Sequence, residues 1–369
     1  MTLHTPLCDL LGIQYPIIQS GMSRVAGPEL VAEVSRAGGL GILAALRLTP
    51  DELRAQIRRV RELTDRPFGV NLWLHPGVVT PIDPATVPAS TLTSVQHELN
   101  QFRKRLDIAP SDARPTRFPE LVATSFQVMV EERVPVWSIG LGNPGREMVD
   151  RCHAQGIQVM AMVASVSDAR EVVEAGVDMV VAQGAEAGGH RSRWVVDRES
   201  HDDIGTMVLV PQVADSIDRP VIAAGGIADG RGIVAALALG ASGVMLGTRF
   251  IAAREAIAPQ FFKDAVLTAE SSETLVTDAF TGLPMRTLRN RFASDYAADG
   301  APVLPAMLQS SAAEDIFKAA AQRGDREHFP MPAGQSTGLI GNAPPAADIV
   351  RNLVNEARSA LRALDRLKS

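Results

Sequence analysis

Pro220-Val-Ile-Ala-Ala-Gly-Gly-Ile-Ala-Asp-Gly-Arg-Gly-Ile-Val-Ala-Ala-Leu-Ala-Leu-Gly-Ala-Ser-Gly-Val-Met-Leu-Gly-Thr248 decides the fold. It opens on a short apolar run, Pro220 to Ala224, that Gly225-Gly226 brings to a stop. Asp229 then stands where a helix cap belongs, ahead of a helical pattern that reaches Leu239 and ends at Gly240. A second apolar run, Gly243 to Leu246, stops at Gly247-Thr248. The unit is therefore strand, crossover helix, strand. Runs apolar at every position belong to strands buried on both faces, as in a parallel sheet.

The same unit recurs along the chain. Pro16 to Gln19, Gly41 to Ala45, Phe68 to Leu74, Pro135 to Ile139, Gln158 to Val163 and Asp178 to Ala182 are six more such runs. Helical patterns separate them, among them Pro28 to Arg36, Pro50 to Leu63 and Val166 to Ala175. Eight parallel strands close a (β/α)8 barrel, an α/β fold. Their ends are expected near Gln19, Ala45, Leu74, Ile139, Val163, Gln183, Gly225 and Gly247. An open doubly wound sheet is the alternative.

Two segments break the rhythm. His75 to Pro119 is proline-rich at both ends, with a helical middle from Leu92 to Leu106. The tail from Pro259 carries helical patterns at Ala312 to Arg323 and Ala347 to Leu367, around a loop at Pro330 to Leu339. The expected organisation is a barrel over residues 1–258, with an insertion at 75–119, and a helical extension over 259–369. Insertion and extension are expected to cover the mouth of the barrel, because such connections carry function.

Composition narrows the function. The 369 residues are 46% hydrophobic and 21% charged, with a formal charge of −6. That balance provides no basic surface for nucleic acid. Aromatic residues make up 4%, which leaves few platforms for stacking bases. Cys8 and Cys152 have no CxxC partner, so neither a disulfide framework nor a metal cluster is expected, and a reduced cytoplasmic setting fits. No signal-like leader is visible and no stretch is apolar enough to span a bilayer.

Sites in this fold form at the C-terminal ends of the strands, and phosphates bind at the last two. Gly225, Gly226, Gly247 and Thr248 stand there and offer backbone N–H groups and a hydroxyl to a monoester phosphate. The plain alternative is a pair of tight turns. The other marked stretch is Ala182-Gln-Gly-Ala-Glu-Ala-Gly-Gly-His190. Its glycines let backbone approach a flat ligand, and the imidazole of His190 beyond them is a candidate base. The alternative is a turn histidine that only fills a hydrogen bond. Asn71 is a polar residue in an apolar strand, suited either to a heterocycle edge or to a core hydrogen bond. His75 ends that strand as a second candidate pocket histidine. Gly140-Leu-Gly-Asn-Pro-Gly145 spells a dinucleotide fingerprint, but the acidic residue expected ~20 positions on is missing. It reads as an open strand-end loop, with Gly140 facing the pocket.

Taken together, Pro16-Ile-Ile-Gln-Ser-Gly-Met22, Ala37-Gly-Gly-Leu-Gly41, Val70-Asn-Leu72, Gln183 to His190, Ala223 to Gly232, Met245-Leu-Gly-Thr-Arg-Phe250 and Ala333-Gly-Gln-Ser336 resemble the nitronate monooxygenases, formerly 2-nitropropane dioxygenases. The resemblance implies an FMN-binding TIM barrel. It implies that Gly21, Met22 and Ser23 meet the flavin ring, and that Asn71 and Gln183 hydrogen-bond FMN. Gly188, Gly225, Gly226, Gly247 and Thr248 would hold its ribityl chain and phosphate, and Gly189, Met245 and Leu246 would also belong to the cofactor site. His190 would be the base in oxidation of nitronates or nitroalkanes with O2 to carbonyl compounds and nitrite. Relatives with the same Glu-Ala-Gly-Gly-His motif include NAD(P)H-dependent enoyl-thioester and quinone reductases, which is the alternative. The implied partners are a small-molecule substrate with O2 or NAD(P)H, with no nucleic acid, membrane or metal; a homodimer stays open.

Two departures from that pattern make the expected pocket more apolar. Gly140 stands where the family pattern has a histidine, in Ser138-Ile-Gly-Leu-Gly142. No tyrosine flanks Leu304-Pro-Ala-Met-Leu308, since the only tyrosines are Tyr15 and Tyr296.

Overall fold

A computed structural model describes residues 3–193, 203–298 and 300–366. Its strands are β1 (Ile17–Gln19), β2 (Leu40–Ala44), β3 (Phe68–Trp73), β4 (Val136–Gly140), β5 (Gln158–Val163), β6 (Met179–Gln183), β7 (Gly189–His190), β8 (Val221–Ala224), β9 (Gly243–Leu246), β10 (Thr274–Thr277) and β11 (Met285–Leu288). Eight of them close a parallel barrel in the order β1-β2-β3-β4-β5-β6-β8-β9. Pairing of Ile18 with Met245 joins the last strand to the first. Each observed strand end lies within one residue of the expected one.

Alternation along the strands sorts side chains into two layers. Ile18, Ile42, Val136, Met160, Met179, Val181, Ile222 and Met245 share one apolar cluster with Leu7, Cys8 and Leu11. These three belong to the helix Pro6–Leu11, which closes the lower end of the barrel. Leu7 reaches so close to Gly243, at the start of β9, that a Cβ there would lie 2.5 Å from it. The alternate residues, such as Val70, Leu72, Trp137, Ile139, Val180 and Val244, pack outward against the helices. Local signals fix those helices. Thr49 and Glu52 form a reciprocal capping box ahead of Pro50–Leu63. Asp229 caps Gly230–Ala238 by accepting from the N–H groups of Arg231 and Gly232.

The insertion forms short turns at Pro76–Val79 and Pro84–Thr86 and a long helix, Ala89–Arg105. That helix shares a separate apolar cluster with the extension, in which Leu99 and Phe102 meet Phe280, Phe292, Tyr296 and Phe317. Buried Arg103 joins the two chemically, pairing with Asp315 at 2.7 Å and donating to the Ala312 carbonyl at 2.7 Å. The extension carries the expected helices as Glu314–Arg323 and Ala346–Asp365; Leu367 lies outside the described residues. It also holds an element absent from the helical expectation. Strands β10 and β11 form an antiparallel hairpin, and β11 pairs in turn with β7, setting Met285 opposite His190.

Candidate active site

The C-terminal ends of the barrel strands gather the expected residues on one face. Asn71 and Trp73 alternate inward on β3, beside Ser138 and Gly140 on β4. The Asn71 amide donates to the Ser138 carbonyl at 3.1 Å and lies 3.2 Å from its hydroxyl. Gly21 crosses directly over Asn71, where a Cβ would lie 2.5 Å from that of the asparagine. Met22 lies beside Gly247, where a Cβ would be 3.5 Å from the Met22 sulfur and 3.9 Å from the Ser20 Cβ. Ser23 is exposed at the rim.

Gly225 and Gly226 turn the chain at the end of β8 with φ of 106° and 71°, values that side-chain-bearing residues rarely adopt. Next to them a cavity of about 400 Å³ is lined by Gly226, Ser271, Ser272, Gln335, Ser336 and Leu339. The extension completes this corner. The Gly334 N–H donates to the Thr248 hydroxyl at 2.9 Å, and the Gln335 N–H donates to the Glu186 carbonyl at 2.9 Å. Gly188 lies against Ala333 and Gly334, with no room for a side chain. Met245 and Leu246 are buried in the strand below and pack inward and outward respectively.

His190 sits at the centre of the face. Its Nε2 is 2.8 Å from the hydroxyl of Thr281, in the hairpin loop between β10 and β11. The Trp73 ring stands edge-on to the imidazole, with centroids 4.5 Å apart and an interplanar angle of 69°. Gln183 clasps the histidine strand, donating to the His190 carbonyl at 2.9 Å and accepting from the Ser192 N–H at 2.8 Å. One amide hydrogen and one lone pair of Gln183 remain for a ligand. Protein packs densely around the imidazole although part of its surface reaches solvent. Burial, the Arg47 guanidinium and His75 together push its pKa down to about 3, which makes it neutral at physiological pH. Burial also lowers His75, whose Nδ1 accepts from the Gly77 N–H at 3.1 Å. His75 thus caps the turn Pro76–Val79, besides lying within electrostatic reach of His190. Arg47 follows β2 and lies over the Phe118 ring of the insertion at 5.9 Å.

The nitronate monooxygenase family model matches residues 4–356. The chain belongs to the nitronate monooxygenase family. A probable nitronate monooxygenase of Staphylococcus aureus (strain Newman) is 33% identical over 356 residues, which covers 96% of this chain and 98% of the relative. The nitroalkane oxidase structure from Streptomyces ansochromogenes is 34% identical, with a TM-score of 0.85, over 97% of this chain and 99% of that one. The FabK structure from Thermotoga maritima is also 34% identical, with a TM-score of 0.77, over 99% and 100%. This member of the nitronate monooxygenase family is therefore an oxidoreductase.

Four residues of this family member escaped the sequence reading. Thr281 has no motif around it, and only the hairpin brings it to His190. Trp73 reads as one more apolar strand residue. Glu186 is a structural tie: it accepts from the N–H of Thr206 at 2.9 Å and from its hydroxyl at 2.8 Å, fixing the motif loop to the helix Thr206–Ala214. Ser192 donates from its hydroxyl to the Met162 carbonyl at 2.7 Å and accepts from the Leu141 N–H at 3.3 Å, so it spans the tops of β4 and β5. Among the described residues no cluster of His, Cys, Asp or Glu is arranged for a metal, and no helix is long and apolar enough to cross a membrane.

Proposed function

We propose that this protein oxidises alkyl nitronates, and more slowly neutral nitroalkanes, with O2 to carbonyl compounds and nitrite, using noncovalent FMN. The observation that carries the reading is His190, held neutral at the mouth of the barrel in contact with Trp73 and Thr281 and within electrostatic reach of Arg47.

The residues fit a flavin monophosphate. Gly225-Gly226 and Gly247-Thr248 end adjacent strands, and Ser271, Ser272 and Ser336 are among the residues lining the cavity beside them. Helix Gly230–Ala238 begins just beyond, but its first N–H groups are already taken by the carboxylates of Asp229 and Glu356, so the glycine turns and the serines carry the phosphate reading. Asn71 and Gln183 supply amides at the other end of the row. When bound, FMN would accept two electrons from the substrate and return them to O2.

The protein's own part is acid–base and electrostatic. The Thr281 hydroxyl also lies 3.3 Å from the Leu283 carbonyl, to which it donates. Its oxygen then accepts from Nε2–H of His190, which leaves the lone pair on Nδ1. A neutral nitroalkane must lose a proton, and Nδ1 takes it. A nitronate arrives as an anion and needs only charge complementarity, which Arg47 provides. Burial is the larger cause of the depressed His190 pKa; an anion beside Arg47 offsets only the smaller, coulombic part. The insertion and the extension shield this face and set which substrates enter.

A second reading, an FMN-dependent NAD(P)H reductase of enoyl thioesters or quinones, draws on the likeness to FabK and on the apolar Trp73 wall. One experiment separates the two. Purified holoenzyme is mixed anaerobically with ethyl nitronate, and separately with NADH and NADPH. Bleaching of the flavin by nitronate is the expected result. Bleaching by a nicotinamide alone overturns it in favour of the reductase.

A further inference from the structure

Trp73 is the last residue of β3, and its register partner is Gly140, the last residue of β4. Partners in a parallel pair present their side chains to the same face. Here one partner has no side chain, and the other fills the room of both. A Cβ on Gly140 would lie 3.0 Å from Cδ1 and 3.2 Å from Nε1 of the indole. The indole is therefore wedged into the notch above Gly140 and has nowhere to retreat on that side. Its other neighbour is His190, met edge-to-face with centroids 4.5 Å apart. Trp73 is half-buried, so part of the residue stays accessible.

We propose that Trp73 is a specificity-determining residue, a fixed wall that limits the substrate's alkyl group to a short, unbranched chain. The inference rests on His190 being the group that meets the reacting carbon. A carbon within hydrogen-bonding reach of His190 has the indole within a few ångströms of it. One or two methylenes lie flat against the ring, where contact excludes water. A longer or branched chain runs into a ring that Gly140 and His190 hold from both sides. One methylene too many in such a pocket typically costs at least ~10-fold in kcat/KM.

The test uses Trp73→Ala holoenzyme and a series of primary alkyl nitronates of two to eight carbons. Wild type is expected to lose kcat/KM steeply beyond the short members. In the variant, the eight-carbon substrate should gain at least ~10-fold relative to the two-carbon one. A profile within about twofold of wild type across the series overturns the proposal, that change being well below one methylene's worth of discrimination. If wild type oxidises no nitronate, the functional reading fails separately. Trp73 is then judged by binding of straight-chain carboxylates of two to eight carbons, read as perturbation of the flavin spectrum. The same shift toward longer chains supports the wall, and an unchanged profile removes it. If Trp73→Ala does not fold or hold FMN, Trp73→Phe is used, with an intermediate shift expected and an unchanged profile again overturning the proposal. The wedge itself is read without activity. Gly140→Ala should lower the thermal midpoint of the apoprotein when Trp73 is present and leave it nearly unchanged in Trp73→Ala. Equal effects in both backgrounds would show that the ring is free to move, and would sink the fixed wall.

Discussion

The imidazole of His190 and the hydroxyl of Thr281 lie 2.8 Å apart, although 91 positions of sequence separate them. The contact exists because β11 pairs with the strand that carries His190 and draws the hairpin loop over it. Thr281 thereby engages Nε2 of the imidazole.

Removal of that hydroxyl should slow turnover without loosening the flavin. A neutral hydrogen bond contributes about 1 kcal/mol, so Thr281→Val should lower kcat/KM for neutral nitroethane about fivefold. Thr281→Ser should restore it. Steady-state kinetics of the two variants decide the point, and equal rates for valine and wild type would make Thr281 a bystander.

His190→Asn separates proton abstraction from anion oxidation. Loss of a general base costs ~10²–10⁴-fold. That loss should fall on nitroethane, while ethyl nitronate suffers less and FMN stays bound. Comparable losses for both substrates would assign His190 to anion binding and not to proton transfer.

The depressed pKa of His190 has a sign that can be measured. Free histidine titrates near 6.5, whereas the folded protein holds His190 at about 3. Its neutral form therefore contributes no proton-linked penalty above pH 6.5. As pH falls from 6.5 toward 3, the unfolded chain takes up a proton that the folded chain does not, and stability declines. Urea unfolding at pH 7 and pH 5 should show wild type losing on the order of 1–2 kcal/mol more than His190→Asn. Arg47→Leu should raise the pKa of His190 and shrink that difference, while raising KM for the anionic nitronate.

Gly247→Val tests the cofactor cradle with the least disturbance to the fold. Its φ of −102° suits any residue, and a Cβ there would make only ordinary contacts, with the Met22 sulfur at 3.5 Å and the Ser20 Cβ at 3.9 Å. The variant should fold and fail to retain FMN. Gly226→Val should fail too, but its φ of 71° adds backbone strain of roughly 1–2 kcal/mol. Mass analysis of cofactor released from wild type should give FMN, and FAD would refute the monophosphate cradle.

The barrel was legible because buried parallel strands leave an unmixed signature. Val221–Ala224 and Gly243–Leu246 are apolar throughout and stop at glycine, so their ends could be placed to within a residue. Thr274–Thr277 and Met285–Leu288 have four residues each, mix polar with apolar, and leave no such trace. The site divides along the same line. His190 and the glycine pairs announce themselves because their chemistry depends on backbone within a few residues. Thr281 and the Trp73–Gly140 wedge depend on which strands become neighbours. His75 shows the converse, since its place at a strand end is legible but its capping of Gly77 is not.

The two-residue strand that carries His190 has its backbone partner in the extension and none in the barrel. The histidine strand is thus held by the hairpin and by Gln183, while the glycine turns belong to β8 and β9 and the cavity beside them is walled mostly by the extension. A substitution in the hairpin loop therefore acts on His190 directly, through Thr281 and the β11 pairing. A barrel grafted without residues 259–366 would keep the histidine and the glycine turns but lose the hairpin that holds the one and most of the wall beside the other.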